Sequence, residues 1–182
     1  MLSMLENQNI LLGVTGGIAA YKTVTVASQL TQRNACVKTV MTDSATRLVT
    51  PLSFQAVTGQ PVFTGLWQAQ SGASMGHIDL AQWADKIVIA PATADFIAKV
   101  VHGLCDDLLS TLLCTGWEKP RLFAPAMNTQ MWNNPVVQHH LKALAEMGIH
   151  TVGPTEGRLA CGTEGLGRMA EPDQIIAAIE TL

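Results

Sequence analysis

Apolar residues gather in five short blocks along the chain: NILLGV (9–14), CVKTVMT (36–42), KIVIAP (86–91), RLFAP (121–125) and IHTVGP (149–154). Between them, the apolar spacing and the Ala, Leu and Gln content of 18–33, 95–115 and 135–147 predict helices. EPDQIIAAIETL (171–182) predicts a closing helix with Pro172 in its first turn. Strands alternating with helices predict an α/β fold, a parallel sheet with helices on both faces. No repeat, low-complexity tract or linker interrupts the pattern, so residues 1–182 are expected to form a single domain.

Such sheets bind ligands at the carboxyl ends of their strands. Four of the loops expected there have unusual composition: VTGGIAAYK (14–22), MTDSATR (41–47), APATADF (90–96) and APAMNTQMW (124–132). Gly16 and Gly17 follow a strand and open a helix, a geometry that turns backbone N–H groups and a helix dipole toward an anion. The spacing of Gly13, Gly16 and Gly17 matches neither the dinucleotide fingerprint nor the nucleoside-triphosphate loop. Thr42, Ser44 and Thr46 add hydroxyls at the end of the second strand, which suits a mononucleotide phosphate. A tight strand-to-helix turn with no ligand is the alternative reading of the two glycines, and Lys22 reads as a solvated side chain.

Composition narrows the classes. With 182 residues, 48% of them apolar, the chain can bury one sizeable core. Charged residues make up 14%, against roughly 25% in ordinary soluble domains, so part of the surface is expected to be covered by other copies. A net charge of -3 with no basic run argues against nucleic acid and anionic membranes as partners. The first ten residues lack the features of a signal peptide and no apolar run approaches a membrane span, which predicts a cytoplasmic location. Cys36, Cys105, Cys114 and Cys161 are scattered without a C-x-x-C pair, so reduced thiols and no metal site are expected.

GRLACGTEGLGRM (157–169) sets a cysteine, two arginines and four glycines in one stretch. Neither a strand nor a helix is expected to run easily there, and the mixture predicts a flexible segment carrying reactive groups. A glycine-rich surface loop with a chance cysteine is the plainer reading. Residues 62–76, rich in Gly, Ser and Gln, are likewise expected to be mobile, and the four tryptophans to lie in the core or at an interface.

In chain order, GGIAAYK, GHIDL (76–80), PATADF, PAMNTQMW and LACGTEGLGRM resemble the homo-oligomeric flavin-containing cysteine decarboxylases. The resemblance runs from about the first strand to the last helix. It implies a flavodoxin-like Rossmann fold holding FMN, homotrimers or homododecamers with active sites between subunits, and a ligase, separate or fused, that makes the cysteine adduct. The implied reaction is FMN-dependent decarboxylation of 4'-phosphopantothenoylcysteine to 4'-phosphopantetheine in coenzyme A biosynthesis. It also implies the FMN contacts: Gly16, Gly17 and Ile18; Thr42, Asp43 and Ser44; Thr93, Ala94, Asp95 and Phe96; and Ala126.

His77 matches the family's catalytic histidine. Imidazole exchanges protons near neutral pH, which suits a base, although the local sequence alone reads as a helix-entry residue. His102, His139, His140 and His150 have no such motif and read as structural. Asn128 matches the residue that holds the substrate carboxylate; read locally, it caps a helix. Arg158 and the Ala160 backbone are implied to bind substrate under a lid, and Cys161 to return a proton to the decarboxylated product. PATADF departs from the family's common PASANT: Asp95 stands for Asn and Phe96 for Thr, so an amide contact there is not implied. Read locally, Asp95 caps the following helix. The rival expectations are a peptidyl-cysteine decarboxylase, which needs no proton-donating cysteine, and a non-catalytic flavoprotein regulatory subunit. A prenyl-flavin-forming relative fits GHIDL and PAMNTQMW less well.

Overall fold

Consecutive residues of the apolar blocks point to opposite sides of one sheet, so each block feeds two cores. In the computed structural model, which describes residues 5–66, 76–158, 162 and 164–182, the strands are β1 (Asn9–Val14), β2 (Cys36–Met41), β3 (Val62–Phe63), β4 (Lys86–Ala92), β5 (Arg121–Pro125) and β6 (His150–Thr151). They form one sheet in the order β3-β2-β1-β4-β5-β6, with every neighbouring pair parallel. Ile10, Leu12 and Val14 of β1 join one core, with Val88 and Ala90 of β4. Leu11, Ile87 and Ile89 join the other. This two-sided burial is why the strands read as apolar runs rather than alternating ones.

Helices cover both faces, as the alternation of elements predicts. On the first face lie α1 (Ala20–Gln32), the short α2 (Asp43–Thr46), α3 (Pro51–Thr58) and, packed on α1, the closing helix at Pro172–Glu180. On the second lie α4 (His77–Trp83), α5 (Ala94–Val101) and α6 (Leu108–Thr115); the short α7 (Thr129–Trp132) leads into α8 (Pro135–Glu146), which also packs on this side. The closing helix is α9 in chain order. A buried and a part-buried polar contact lock the layers together. Thr23 of α1 donates to the Ala90 carbonyl at 2.8 Å, and Lys86 of β4 donates to the Ile179 carbonyl of α9 at 2.8 Å.

The predicted helix over 95–115 is two helices. Gly103, at φ 66°, ends the first, and Asp107 starts the second by accepting from the Ser110 N–H at 2.8 Å. Both are recognised stop and start residues whose signal the apolar spacing masked. A larger correction concerns 157–169. Instead of lacking regular structure, the chain forms an antiparallel hairpin of β7 (Thr155–Arg158) and β8 (Glu164–Arg168). Gly157 and Gly167 make it feasible, at φ 155° and 143°, values that residues with a Cβ rarely adopt. Of the stretch expected to be mobile, Val62 and Phe63 form β3, and 67–75 lie outside the described residues, with Trp67. Trp83 packs against the second core under the Lys38 ammonium, and Trp117 is exposed on the single chain.

The hairpin is strapped to the end of β5. The Met127 N–H donates to the Gly167 carbonyl at 2.9 Å, and a Cβ on Gly167 would strike the Met127 carbonyl oxygen. Gly167→Ala is therefore expected to destabilise the fold by about 1–3 kcal/mol through combined strain and collision. Gly165→Ala should cost less, because the atom it meets is the rotatable Thr129 side chain. Urea denaturation midpoints of the two variants check the order.

Candidate functional site

Parallel pairing brings the carboxyl ends of β1, β2, β4 and β5 to one edge of the sheet, Val14 beside Met41 and Ala92 beside Pro125. The loops leaving these ends, with the hairpin above them, enclose a cavity of about 1110 Å³. Thr15 is its keystone. Its buried hydroxyl donates to the Pro91 carbonyl at 2.6 Å and accepts from the Thr93 N–H at 3.2 Å, so the β1 and β4 loops are held together. Glycine is required beside it for close packing: a Cβ on Gly16 would run into Ser44, and one on Gly17 would lie 3.2 Å from Pro91.

Helix α1 starts at this point with no side-chain cap on Ala19 and no acidic residue in its first turn. Its opening turn, next to Gly16, Gly17 and Ile18 on the cavity wall, therefore presents positive dipole and N–H donors where an anion can take them. From the β2 end, Thr42, Asp43 and Ser44 reach the same wall. Thr42 accepts from Ala45 N–H at 3.3 Å to cap α2, and Asp43 pairs with Arg47 at 2.7 Å. Thr46, expected to offer a hydroxyl, instead donates to the Asp43 carbonyl at 2.7 Å and is not part of the lining.

From β4, Thr93, Ala94, Asp95 and Phe96 line the cavity. Thr93, not Asp95, caps α5 by accepting from Phe96 N–H at 3.3 Å, which corrects the local reading of Asp95. Phe96 is only 1% exposed, and its ring stands 6.3 Å from that of Phe123 in the second core. From β5 come Ala126, Met127 and Asn128. Asn128 caps α7, its Oδ1 accepting from Gln130 N–H at 2.8 Å, so the local reading of this residue holds while its side chain also reaches the cavity.

The hairpin contributes Arg158, Gly167, Arg168 and Met169. Arg158 is exposed at the end of β7; Ala160 and Cys161 lie outside the described residues. His77 is placed elsewhere: as the first residue of α4, half-buried, it is absent from this lining. Thus one chain brings together every expected contact among its described residues except His77.

Charged groups that sequence reasoning missed shape the rest. Lys22 is not a solvated side chain; it is 10% exposed and donates to Glu171 at 2.9 Å. Glu171 also accepts from Arg168, so one carboxylate holds two cavity-lining cations. Lys99 also lines the wall and pairs with Asp106 at 3.0 Å and Asp107 at 3.4 Å. The hydrogen bond to Asp106 is the main reason its ammonium is raised above the ordinary lysine value. The only sequence signals for the first cluster were the basic residue one turn into α1 and the Arg-Met-Ala-Glu order at 168–171.

A family model described as Flavoprotein matches residues 1–182. The chain belongs to the Flavoprotein family. It is 46% identical over 175 residues, 96% of its length, to the coenzyme A biosynthesis bifunctional protein CoaBC of Haemophilus influenzae, and spans 44% of that protein. Against the CoaBC of Bacillus subtilis it is 45% identical over 177 residues, 97% of the chain and 43% of the relative. The chain thus spans less than half the length of these curated relatives. A PPC decarboxylase cysteine-to-serine mutant complexed with pantothenoylaminoethenethiol has a similar structure, with TM-score 0.85, 37% identity, and coverage of 97% of this chain and 98% of that one. The FMN binding protein AtHal3 is similar at TM-score 0.82 and 37% identity, with 97% and 96% covered. The flavodoxin-like fold implied by the resemblance is therefore the fold observed.

The Lys22–Glu171–Arg168 cluster has a readable pH signature. Hydrogen bonding from Lys22, then the charges of Lys22 and Arg168, hold the Glu171 carboxyl below the ordinary glutamate value of 4.5. A depressed carboxyl adds stability above its unfolded value, and that contribution disappears as the pH falls through the folded value. With Glu171 45% exposed, solvent screening limits the gain to about 0–1 kcal/mol. Glu171→Gln is expected to lose that amount at neutral pH and to approach the parent at an acid pH below the folded value of this carboxyl. Urea titrations of both proteins at the two pH values check it.

Proposed function

We propose that the chain is an FMN-dependent decarboxylase acting on 4'-phosphopantothenoylcysteine to give 4'-phosphopantetheine in coenzyme A biosynthesis. The observation that carries this reading is the likeness to the PPC decarboxylase structure along nearly all of both chains, with the cavity lying where the resemblance puts the cofactor. The cavity's own chemistry fits FMN. The uncapped start of α1 with Gly16, Gly17 and Ile18, together with Thr42 and Ser44, suits the phosphate. Ala94, Ala126 and Met127 give the wall an apolar stretch suited to a flat ring system. Asp95 remains on this wall as an acceptor rather than an amide donor.

When bound, FMN supplies the electron sink that a cysteine carboxylate lacks. The chain's residues do the rest. Asn128 orients the substrate carboxylate through neutral hydrogen bonds, which hold the group without the ground-state stabilisation of an ion pair. Arg158 and the Ala160 backbone hold the substrate, and the segment carrying them excludes water. His77 takes the thiol proton. Cys161 delivers a proton to the enethiolate left after CO2 departs.

Because His77 stands away from its own chain's cavity, the complete set is assembled between copies, in a homotrimer or a homododecamer built from trimers. The ligase that makes the substrate is supplied by a fused segment, as the bifunctional relatives suggest, or by a separate protein. The location is cytoplasmic.

Purified protein should be yellow, or take up added FMN, and release CO2 from phosphopantothenoylcysteine. Cys161→Ser should keep FMN and CO2 release but form 4'-phosphopantetheine about 10²–10⁴-fold more slowly, accumulating the enethiol. A colourless protein that refuses FMN would overturn the reading, as would normal phosphopantetheine yield from the variant for the role of Cys161. Asn128→Asp separates the cap from the chemistry, because Asp caps a helix as well as Asn does. Its melting temperature should match the parent's, while kcat/KM falls by about 10–100-fold from repulsion of the substrate carboxylate.

A further inference from the structure

Two cations stand on the cavity wall with their shared counter-ion behind them. Lys22 and Arg168 are both part of the lining, whereas Glu171, whose Oε1 accepts from each of them, is not. An ammonium has three N–H donors and a guanidinium five, so the bonds to Glu171 leave both groups with donors for a second anion. Charge points the same way. Two positive groups against one carboxylate leave a surplus on the cavity side, and Lys22 is mostly buried, where an unbalanced charge is costly. Lys99 offers no such surplus, because Asp106 and Asp107 both pair with it. The place of Arg168 is made by a glycine: a Cβ on Gly157 would lie 3.1 Å from its Nη1 and 3.3 Å from its Cδ, so the side chain rests against bare backbone of β7.

The wall thus has two anion positions of different chemistry, one of neutral donors around Gly16, Gly17 and the start of α1, the other of cations. The proposed function brings two phosphomonoesters to this cavity, one on FMN and one on the substrate. Hairpin register sets the cationic position apart from Arg158. Arg158 stands opposite Glu164 and Arg168 opposite Thr155, three residues or roughly 10 Å apart along β7. An elongated ligand gripped near Arg158 therefore reaches Arg168 with its far end. We propose that Lys22 and Arg168, backed by Glu171, bind the phosphate of the substrate; this rests on the proposed decarboxylation and gives a partner to a group that reading leaves without one. A phosphomonoester carries a charge of about -1.5 to -2 at neutral pH and three acceptor oxygens. Those suffice for a bidentate contact with the guanidinium and a further bond from the ammonium. An unphosphorylated molecule leaves the surplus charge unmatched, so the cluster selects the phosphorylated form.

Calorimetry on the FMN-loaded protein compares 4'-phosphopantetheine with pantetheine, which differ only in the phosphate. The parent is expected to bind the phosphorylated molecule about 100-fold more tightly, and Arg168→Gln and Lys22→Gln should each lower that ratio by about tenfold. Arg168→Lys should recover part of the loss. The ratio is taken within each variant, so a loosened hairpin that weakens both ligands alike does not move it. Arg168 is part-exposed on the hairpin, so Arg168→Gln carries the test alone should Lys22→Gln fail to fold. Each variant should keep the parent's preference for FMN over riboflavin. Equal binding of the two pantetheines by the parent, or a ratio unmoved in Arg168→Gln, would overturn the proposal. A lost preference for FMN over riboflavin in place of the changed ratio would also overturn it, by giving the cations to the cofactor's phosphate. Release of CO2 from phosphopantothenoylcysteine by the parent is read separately: its absence removes the proposed reaction, whereas release with an unmoved phosphate ratio removes the phosphate subsite alone.

Discussion

The buried hydroxyl of Thr15 makes the site one object rather than four loops. It gives its proton to the Pro91 carbonyl and takes one from the Thr93 N–H, so the turn after β1 and the turn after β4 cannot move apart without leaving buried polar groups unmatched. Everything nearby is packed to the tolerance this sets. Gly16 has room for no side chain because Ser44 fills it, and Gly17 lies against Pro91. These glycines serve close approach, and α1 starts directly beyond them with no side-chain cap at Ala19.

Sheet register extends the constraint outward. Four strands end level because parallel pairing fixes their offsets, and the Ala126 N–H, donating to the Ala92 carbonyl at 3.1 Å, continues the β4–β5 pairing into the loops. The hairpin is then strapped over β5 by Met127 and joined to α1 through Glu171, which holds Arg168 from one side and Lys22 from the other. With its carboxylate 45% exposed, this cluster adds little to stability. Its effect is positional: it fixes two cations on the wall of a cavity suited to a phosphorylated ligand.

What the sequence disclosed followed from how each part is stabilised. The strands at 9–14, 36–42, 86–91 and 121–125 were legible because burial on both faces demands unbroken apolar runs, and the glycine turn was legible because Ser44 and Pro91 approach it too closely for larger residues. The hairpin was not. Its strands are held by backbone pairing and by glycines at positive φ, and their sequences, TEGR and EGLGR, hold a single large apolar residue, so no apolar run announces them. The ion pair between Lys22 and Glu171 joins residues far apart in sequence, which no local pattern reveals. His77 was legible only as a motif, since a single chain's folding does not bring it to the cavity.

The departure at 95 and 96 from the common family pattern acquires a physical account. The cap of α5 rests on Thr93, so exchanging the residue two places later leaves the helix start intact. Position 96 faces the second core, where the Phe96 ring packs near Phe123, and a threonine there would give up most of that buried apolar surface. Phe96 therefore serves packing, and its place on the cavity wall follows from where α5 begins. Asp95 is exposed in the first turn of α5, where the helix dipole favours a carboxylate. The two replacements thus act on different links: one strengthens the core beneath the site, and the other changes the charge of the wall without disturbing the scaffold that holds it.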